Sequence, residues 1–394
     1  MKHRLMDALV CPKCRGNLQL IVFTSEKEKV ANGLISSVKC INYCNYKNSS
    51  PVNISASDCD ECFKVEIIDG LLLCECGQKY PVFQRLPRLL LDSFNSNHAF
   101  RLRYHEKLIK FLNDYENESK SEVEGKIAYF KRTEQSFSIQ WQQFEYEDRT
   151  WGLEVKDRVD HFLHEFQLSA DELRGKKILD GGCGNGKFTC AVSTYGQEMF
   201  GMDQSTSPIR AIEKKHTFAG KQSPLVHFVQ GNVFYPPFRH DFFDHIYSSG
   251  VLHHTPDTYK AFKSLIPILK KGGKYYILLY KKRSQIIEIP LEIIRTVTTR
   301  MYLEELYRLV YSLVPFFLVI RKMIWLLKGR WVKADFTRRE EALVLFDTFS
   351  PKYRYTHTTK EVVDWYKKLN LSDAKAIDLK IKPEIGVGVI GTKQ

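Results

Sequence analysis

The most constraining feature of this chain is the run Ile178-Leu179-Asp180-Gly181-Gly182-Cys183-Gly184-Asn185-Gly186. Lys177-Ile178-Leu179 reads as a buried strand, and the residues after Gly186 read as a helix through Tyr195. Glycines between them let the backbone turn tightly and let a ligand approach without Cβ interference. Apolar runs then alternate with helical patterns. Strands are expected at 199–202, 225–229, 245–247 and 274–280, with helices at 207–216 and 259–269. That alternation predicts an α/β fold, a mostly parallel sheet with helices on both faces and its ligand site at the carboxyl ends of the strands.

The spacing of the loop separates two kinds of nucleotide-bearing ligand. A dinucleotide loop follows Gly-x-Gly-x-x-Gly and aims a helix N-terminus at a pyrophosphate. Here Lys187 follows Gly186, so the third glycine comes one residue early. S-adenosylmethionine lacks phosphate and carries an amino-acid head instead. Asp180 can hold its ammonium group, and backbone N–H groups near Gly182 and Gly184 its carboxylate. Asp203, closing the next strand, is an acceptor-only group suited to two ribose hydroxyls.

These residues, with Gly201-Met202-Asp203-Gln204-Ser205, Gly231-Asn232-Val233, Phe243-Asp244 and Leu269-Lys270-Lys271-Gly272-Gly273-Lys274, resemble the class I S-adenosylmethionine-dependent methyltransferases. The resemblance covers about 175–283 and returns near 351–394, where strands at 376–381 and 387–390 are expected to close a seven-stranded, Rossmann-like sheet. It implies cofactor contacts from Asp180, Gly181, Gly182, Gly184, Gly186, Asp203, Gln204, Asn232, Val233 and Ser249. The family usually has Asp where this chain has Asn232, whose carbonyl oxygen can still accept from the adenine amino group; Val233 would offer its backbone N–H. His253 and His254 follow the fourth strand. Neutral histidine is the usual general base near pH 7, but neighbours there rarely face the same way, so at most one is expected to serve.

Eight of the ten cysteines fall within the first 76 residues, as Cys11/Cys14, Cys40/Cys44, Cys59/Cys62 and Cys74/Cys76. Two such pairs can complete a tetrahedral Zn²⁺ site. The simplest assignment is two ribbons in tandem, Cys11, Cys14, Cys40 and Cys44 holding one zinc and Cys59, Cys62, Cys74 and Cys76 the other. A weak repeat, Gly33-Leu34-Ile35 before Cys40 and Gly70-Leu71-Leu72 before Cys74, supports it. The alternative is nested, with Cys11/Cys14 paired to Cys74/Cys76. Residues 5–92 resemble the zinc-ribbon domain that activates certain tRNA and translation-factor methyltransferases, which implies a scaffold or partner-contact role. The first ten residues hold no apolar run of signal-peptide length, so a cytoplasmic protein with reduced or metal-bound cysteines is expected.

The expected organisation is a zinc-ribbon domain at 1–92, a helical connector and cap at 93–172, a catalytic core at 173–283, a helical substrate-side insert at 284–350 and the return of the core at 351–394. The connector carries Phe137, Trp141, Phe144, Tyr146 and Trp151, either packing or a lid that excludes water. The insert mixes apolar residues with Arg and Lys, with helices expected at 303–311 and 319–327. It reads as a subdomain over the active site or a basic amphipathic surface for anionic lipid. Two acceptor classes are carried forward: a small molecule, glycan or lipid-linked intermediate, and a tRNA or rRNA base, to which the +13 net charge and the cysteine pairs point. Oligomeric state is not legible in the sequence.

Overall fold

The computed structural model describes residues 1–28, 30, 39–111, 135–140, 154–327, 337–379 and 386–394. Gly33-Leu34-Ile35, the aromatic residues 141–151, and Lys328 and Arg330 lie outside them.

The N-terminal part is an antiparallel sheet of β1 (Leu18–Lys27), β2 (Val65–Cys74), β3 (Lys79–Phe83) and β4 (Leu86–Pro87), in that order. Between β1 and β2, helix α1 (Ala56–Lys64) starts on a capping box in which Ser55 and Asp58 exchange side-chain and backbone bonds, satisfying donors a helix start leaves open. Strand register decides the cysteine pairing. Leu18 lies opposite Cys74, so the turn holding Cys11 and Cys14, just before β1, meets the Cys74–Gly77 turn that ends β2. The tandem assignment is therefore overturned in favour of the nested one. Cys40, Cys44, Cys59 and Cys62 belong to the excursion between β1 and β2.

The connector holds short helices at Ser93–Ser96, His98–Arg103 and His105–Ile109, then α2 (Val155–Phe166). The central sheet follows: β5 (Lys177–Gly181), α3 (Lys187–Val192), β6 (Glu198–Asp203), α4 (Pro208–Ala219), β7 (Val226–Gln230), β8 (Phe243–Ser249), α5 (Thr258–Leu265) and β9 (Leu269–Tyr280). The insert folds as α6 (Gln285–Thr298), α7 (Leu303–Leu327) and α8 (Arg338–Phe349). Then α9 (Thr359–Lys368), β10 (Leu371–Ile377) and β11 (Gly386–Lys393) close the chain. The seven strands are ordered β10-β11-β9-β8-β5-β6-β7. All central neighbours are parallel except β11, which runs antiparallel to both β9 and β10.

The expected α/β class and seven strands are present, with shifted ends. β9 starts at Leu269, not Lys274, because a bulge opposite Phe243 and His245 lets the glycine pair stay in the strand. The strand expected at 376–381 runs Leu371–Ile377, and the two insert helices are one, continuing past Pro315.

The N-terminal sheet docks on the β7 side through buried polar contacts. Arg4 donates to Glu198 at 2.9 Å, Val10 N–H to Pro237 O at 3.0 Å and Leu89 N–H to Gln230 O at 2.8 Å. Buried charges hold only when paired, and this set fixes the module against the strand that leads into Gly231–Val233.

Candidate functional site

A cavity of about 490 Å³ opens at the carboxyl ends of β5, β6, β8 and β9. Its wall holds Asp180, Gly182, Gly184, Asp203, Gln204, Val233 and Ser249, together with His253, His254, Tyr280, Asp347 and Arg354. One continuous space therefore joins the glycine loop to the histidine pair.

The loop turns on glycines in left-handed backbone. Gly182 has φ +96°, and a Cβ there would lie 2.2 Å from a Val251 methyl; Gly186 has φ +70°, and a Cβ would lie 2.5 Å from that of Ala211. Only glycine fits both the torsion and the space. The loop closes against β6, where Asp203 accepts from Gly184 N–H at 2.8 Å and from Ser205 N–H at 2.8 Å. Burial raises the Asp203 carboxyl above its ordinary value although these donors pull the other way. Asp180 is almost wholly buried and accepts from Thr189 Oγ1 at 2.6 Å. Desolvation pushes its carboxyl up to about 6, because a charge out of water is disfavoured unless compensated.

Three expected contacts are not on the cavity wall: Gly181, Gly186 and Asn232. Asn232 turns its side-chain oxygen onto Phe234 N–H at 2.9 Å, bracing a local turn. Gly231, Val233 and Phe234 line the wall instead, as does Met202.

The histidine end is built from distant segments. His254 Nδ1 lies 3.0 Å from Tyr353 O. A carbonyl accepts only, so Nδ1 carries the proton and Nε2 the lone pair. Nε2 has no partner among the described residues. His253 has both ring nitrogens unpartnered among those residues and stacks between Tyr280, at 4.0 Å between ring centroids, and His254, at 4.2 Å. Burial is the largest influence on both histidines and lowers both below the ordinary value; for His254 the Asp347 carboxylate opposes it. The Tyr280 hydroxyl donates to Asp347 on α8. Phe137, in a helical turn over 135–140, stands edge-on to His254 at 5.3 Å, and Gln140 from that turn is fully buried on the wall with both amide atoms unpartnered among the described residues.

Sequence reasoning missed the contribution of α2. Arg158, His161 and Glu165 all line the cavity. Their spacing of three and then four residues puts them on one helix face, which was the available signal. Glu165 accepts from Tyr247 at 2.8 Å and Tyr276 at 2.9 Å, and burial raises its carboxyl. Arg354 carries no local pattern that marks it, whereas Asp347 lies in the run Phe346-Asp347-Thr348-Phe349-Ser350-Pro351-Lys352-Tyr353, which resembles substrate-side elements of bacterial methyltransferases.

Away from the cavity, the sulfurs of Cys11, Cys14, Cys74 and Cys76 lie within 4.8 Å of one another. Cys11–Cys76 are 3.7 Å apart and Cys14–Cys74 are 3.4 Å. Thiolates around a tetrahedral Zn²⁺ stand about 3.8 Å apart. Cys44 and Cys59 pack with Ile54, and Cys40 lies against them. Among the described residues only the first four converge this tightly.

Residues 179–277 match the methyltransferase domain family. The ubiquinone biosynthesis O-methyltransferase of Actinobacillus pleuropneumoniae serotype 7 (strain AP76) is 31% identical over 116 residues, covering 28% of this chain and 48% of that protein. The sterol 24-C-methyltransferase of Pneumocystis carinii (strain B80) is 29% identical over 113 residues, covering 28% and 30%. Of these two relatives the chain spans half the length or less. The solved magnesium protoporphyrin IX methyltransferase of Synechocystis PCC 6803 with bound SAH has a TM-score of 0.37 and 12% identity, covering 68% of this chain and 100% of that one. The match to the methyltransferase domain family thus falls on the central sheet, from β5 into β9.

Proposed function

We propose that this chain is an S-adenosylmethionine-dependent methyltransferase whose acceptor is a small molecule, glycan or lipid-linked intermediate. The observation that carries the reading is one continuous cavity lined both by the acidic Asp180 and Asp203 and by the oriented, buried imidazole of His254.

The residues present fit the cofactor. Asp180 would hold its ammonium and Asp203 its ribose hydroxyls. Arg158 is the cation nearest in kind to what its carboxylate needs, and Met202, Val233 and Phe234 offer an apolar slot for the purine. Bound adenosylmethionine supplies an electrophilic methyl group on a sulfonium.

The chain's own work is to position, dry and deprotonate the acceptor. His254 is assigned as the base, because its tautomer leaves the Nε2 lone pair toward the cavity and burial keeps it neutral near pH 7. Once it takes the proton, the Asp347 carboxylate stabilises the imidazolium. His253, whose ring nitrogens have no partner among the described residues, packs between two rings. Phe137 and Tyr280 keep water from the reacting groups, and Gln140 offers one donor pair and one acceptor.

Zinc is proposed at Cys11, Cys14, Cys74 and Cys76, on the strength of sulfur spacing. Four thiolates leave no open position, so the metal there is structural. A second zinc at Cys40, Cys44, Cys59 and Cys62 is proposed from their pairing. The RNA alternative keeps the positive charge and the cysteine pairs in its favour. Incubating fractionated cell extract with enzyme and methyl-labelled cofactor tests the acceptor class: label in the small-molecule or lipid fraction supports this reading, and label in RNA overturns it.

A further inference from the structure

Helix α6 is built inside out. Ile286, Ile289, Ile293 and Val297 share one face and are 85%, 57%, 63% and 62% exposed. The opposite face is polar and turned into the protein. Glu288 accepts from Arg283 and Arg354, each at 2.9 Å; Arg295 donates to Pro351 O at 2.9 Å; Thr298 donates to Phe349 O at 3.0 Å. A helix on a water-facing surface does the reverse. α7 adds Leu313, Phe316 and Met323, exposed by 42%, 63% and 57%. More than half of the exposed large hydrophobic side chains among the described residues lie between 286 and 323. Exposed apolar side chains in this number along two consecutive helices mark a surface that something covers.

Charge selects the occupant. Residues 281–330 hold ten Lys and Arg against four Glu, and Glu288 and Glu292 are drawn onto Arg354 and its neighbours. Arg300, Arg308 and Lys322 stay exposed around the apolar face. A two-fold contact with a second copy would set this positive rim against itself. An anionic bilayer offers hydrocarbon for the isoleucines and phosphates for the rim. No helix among the described residues is long and apolar enough to cross a membrane, so the arrangement is interfacial.

We infer that α6 and the outer stripe of α7 form a docking surface for an anionic lipid bilayer. The polar face of α6 touches Arg283 and Arg354, which line the acceptor end of the cavity. The surface thus sits beside the entrance an acceptor held in the bilayer would use; this last step rests on the methyltransfer reading, whereas the surface does not.

The test is sedimentation of the full chain with phosphatidylcholine–phosphatidylglycerol vesicles and with phosphatidylcholine vesicles alone, at low and high salt. The wild type is expected to pellet with the anionic vesicles and to be released by salt. Ile286→Asp/Ile293→Asp/Val297→Asp should lower partitioning by about a hundredfold or more, since each buried side chain of this size is worth about tenfold. Arg300→Glu/Arg308→Glu, which leaves the apolar face intact, should weaken only the anionic-lipid component, and it keeps the test open should the triple variant misfold. A wild type that stays in the supernatant with both vesicles overturns the proposal. So does a triple variant that folds and still pellets, or a dimer that it converts to monomer without any vesicle binding. Vesicle binding alongside absent adenosylmethionine binding would sink the methyltransfer reading and leave the surface standing.

Discussion

Replacing Asp180 by Asn should make the unliganded protein more stable while removing its cofactor binding. The carboxyl is almost wholly buried and raised from an ordinary 3.8 to about 6. Each tenfold change in acidity corresponds to about 1.4 kcal/mol, so holding it ionised at pH 7 costs the folded chain about 3 kcal/mol. The sign follows from proton binding: between pH 3.8 and about 6 the folded state holds the proton more tightly than the unfolded one. Stability contributed by this group therefore declines as pH rises through that window and stays low above it. Asn keeps the acceptor for Thr189 and carries no charge. Denaturant unfolding at pH 7 should show the variant more stable by about 1–3 kcal/mol, with the difference shrinking toward zero near pH 4. Titration calorimetry should show cofactor affinity lost, because neutral Asn cannot balance an ammonium. A variant that is less stable at pH 7, or that binds as the wild type does, would refute the argument that burial is tolerated here for the sake of a cationic ligand.

His254→Asn should lower turnover by about a hundredfold or more with cofactor affinity unchanged. Because burial lowers its ordinary 6.5, wild-type turnover should stay flat through neutral pH and fall only below that value; a fall centred above 7 would contradict the assignment. Cys14→Ser should remove one zinc per chain by metal analysis and lower the unfolding temperature; unchanged zinc content would discard the nested site. Gly186→Ala places a Cβ 2.5 Å from Ala211 in left-handed backbone and should cost about 1–3 kcal/mol of stability, read from the unfolding midpoint.

The loop and Asp203 were legible because their chemistry is local: a strand, a glycine turn and an acid one strand later. Cysteine pairing was not, since it depends on Leu18 meeting Cys74 across a register that no spacing encodes. The choice between His253 and His254 rests on the Tyr353 carbonyl, a hundred residues downstream. Arg354 and Asp347 reach the cavity only because the insert folds back over β9. The β9 start was misread because Gly272 and Gly273 look like a turn, whereas the strand absorbs them in a bulge. α6 was not delimited in the sequence because Pro290 falls inside its isoleucine-rich run, although the isoleucines recur on one helix face.

The central claim is that the Asp180–Asp203 end of the cavity binds S-adenosylmethionine. Calorimetric titration of the full chain with that cofactor, beside Asp203→Ala, tests it most directly. Saturable one-to-one binding that weakens by about tenfold or more in Asp203→Ala is the expected result. No saturable heat from the wild type, or equal affinity in the two proteins, would contradict it.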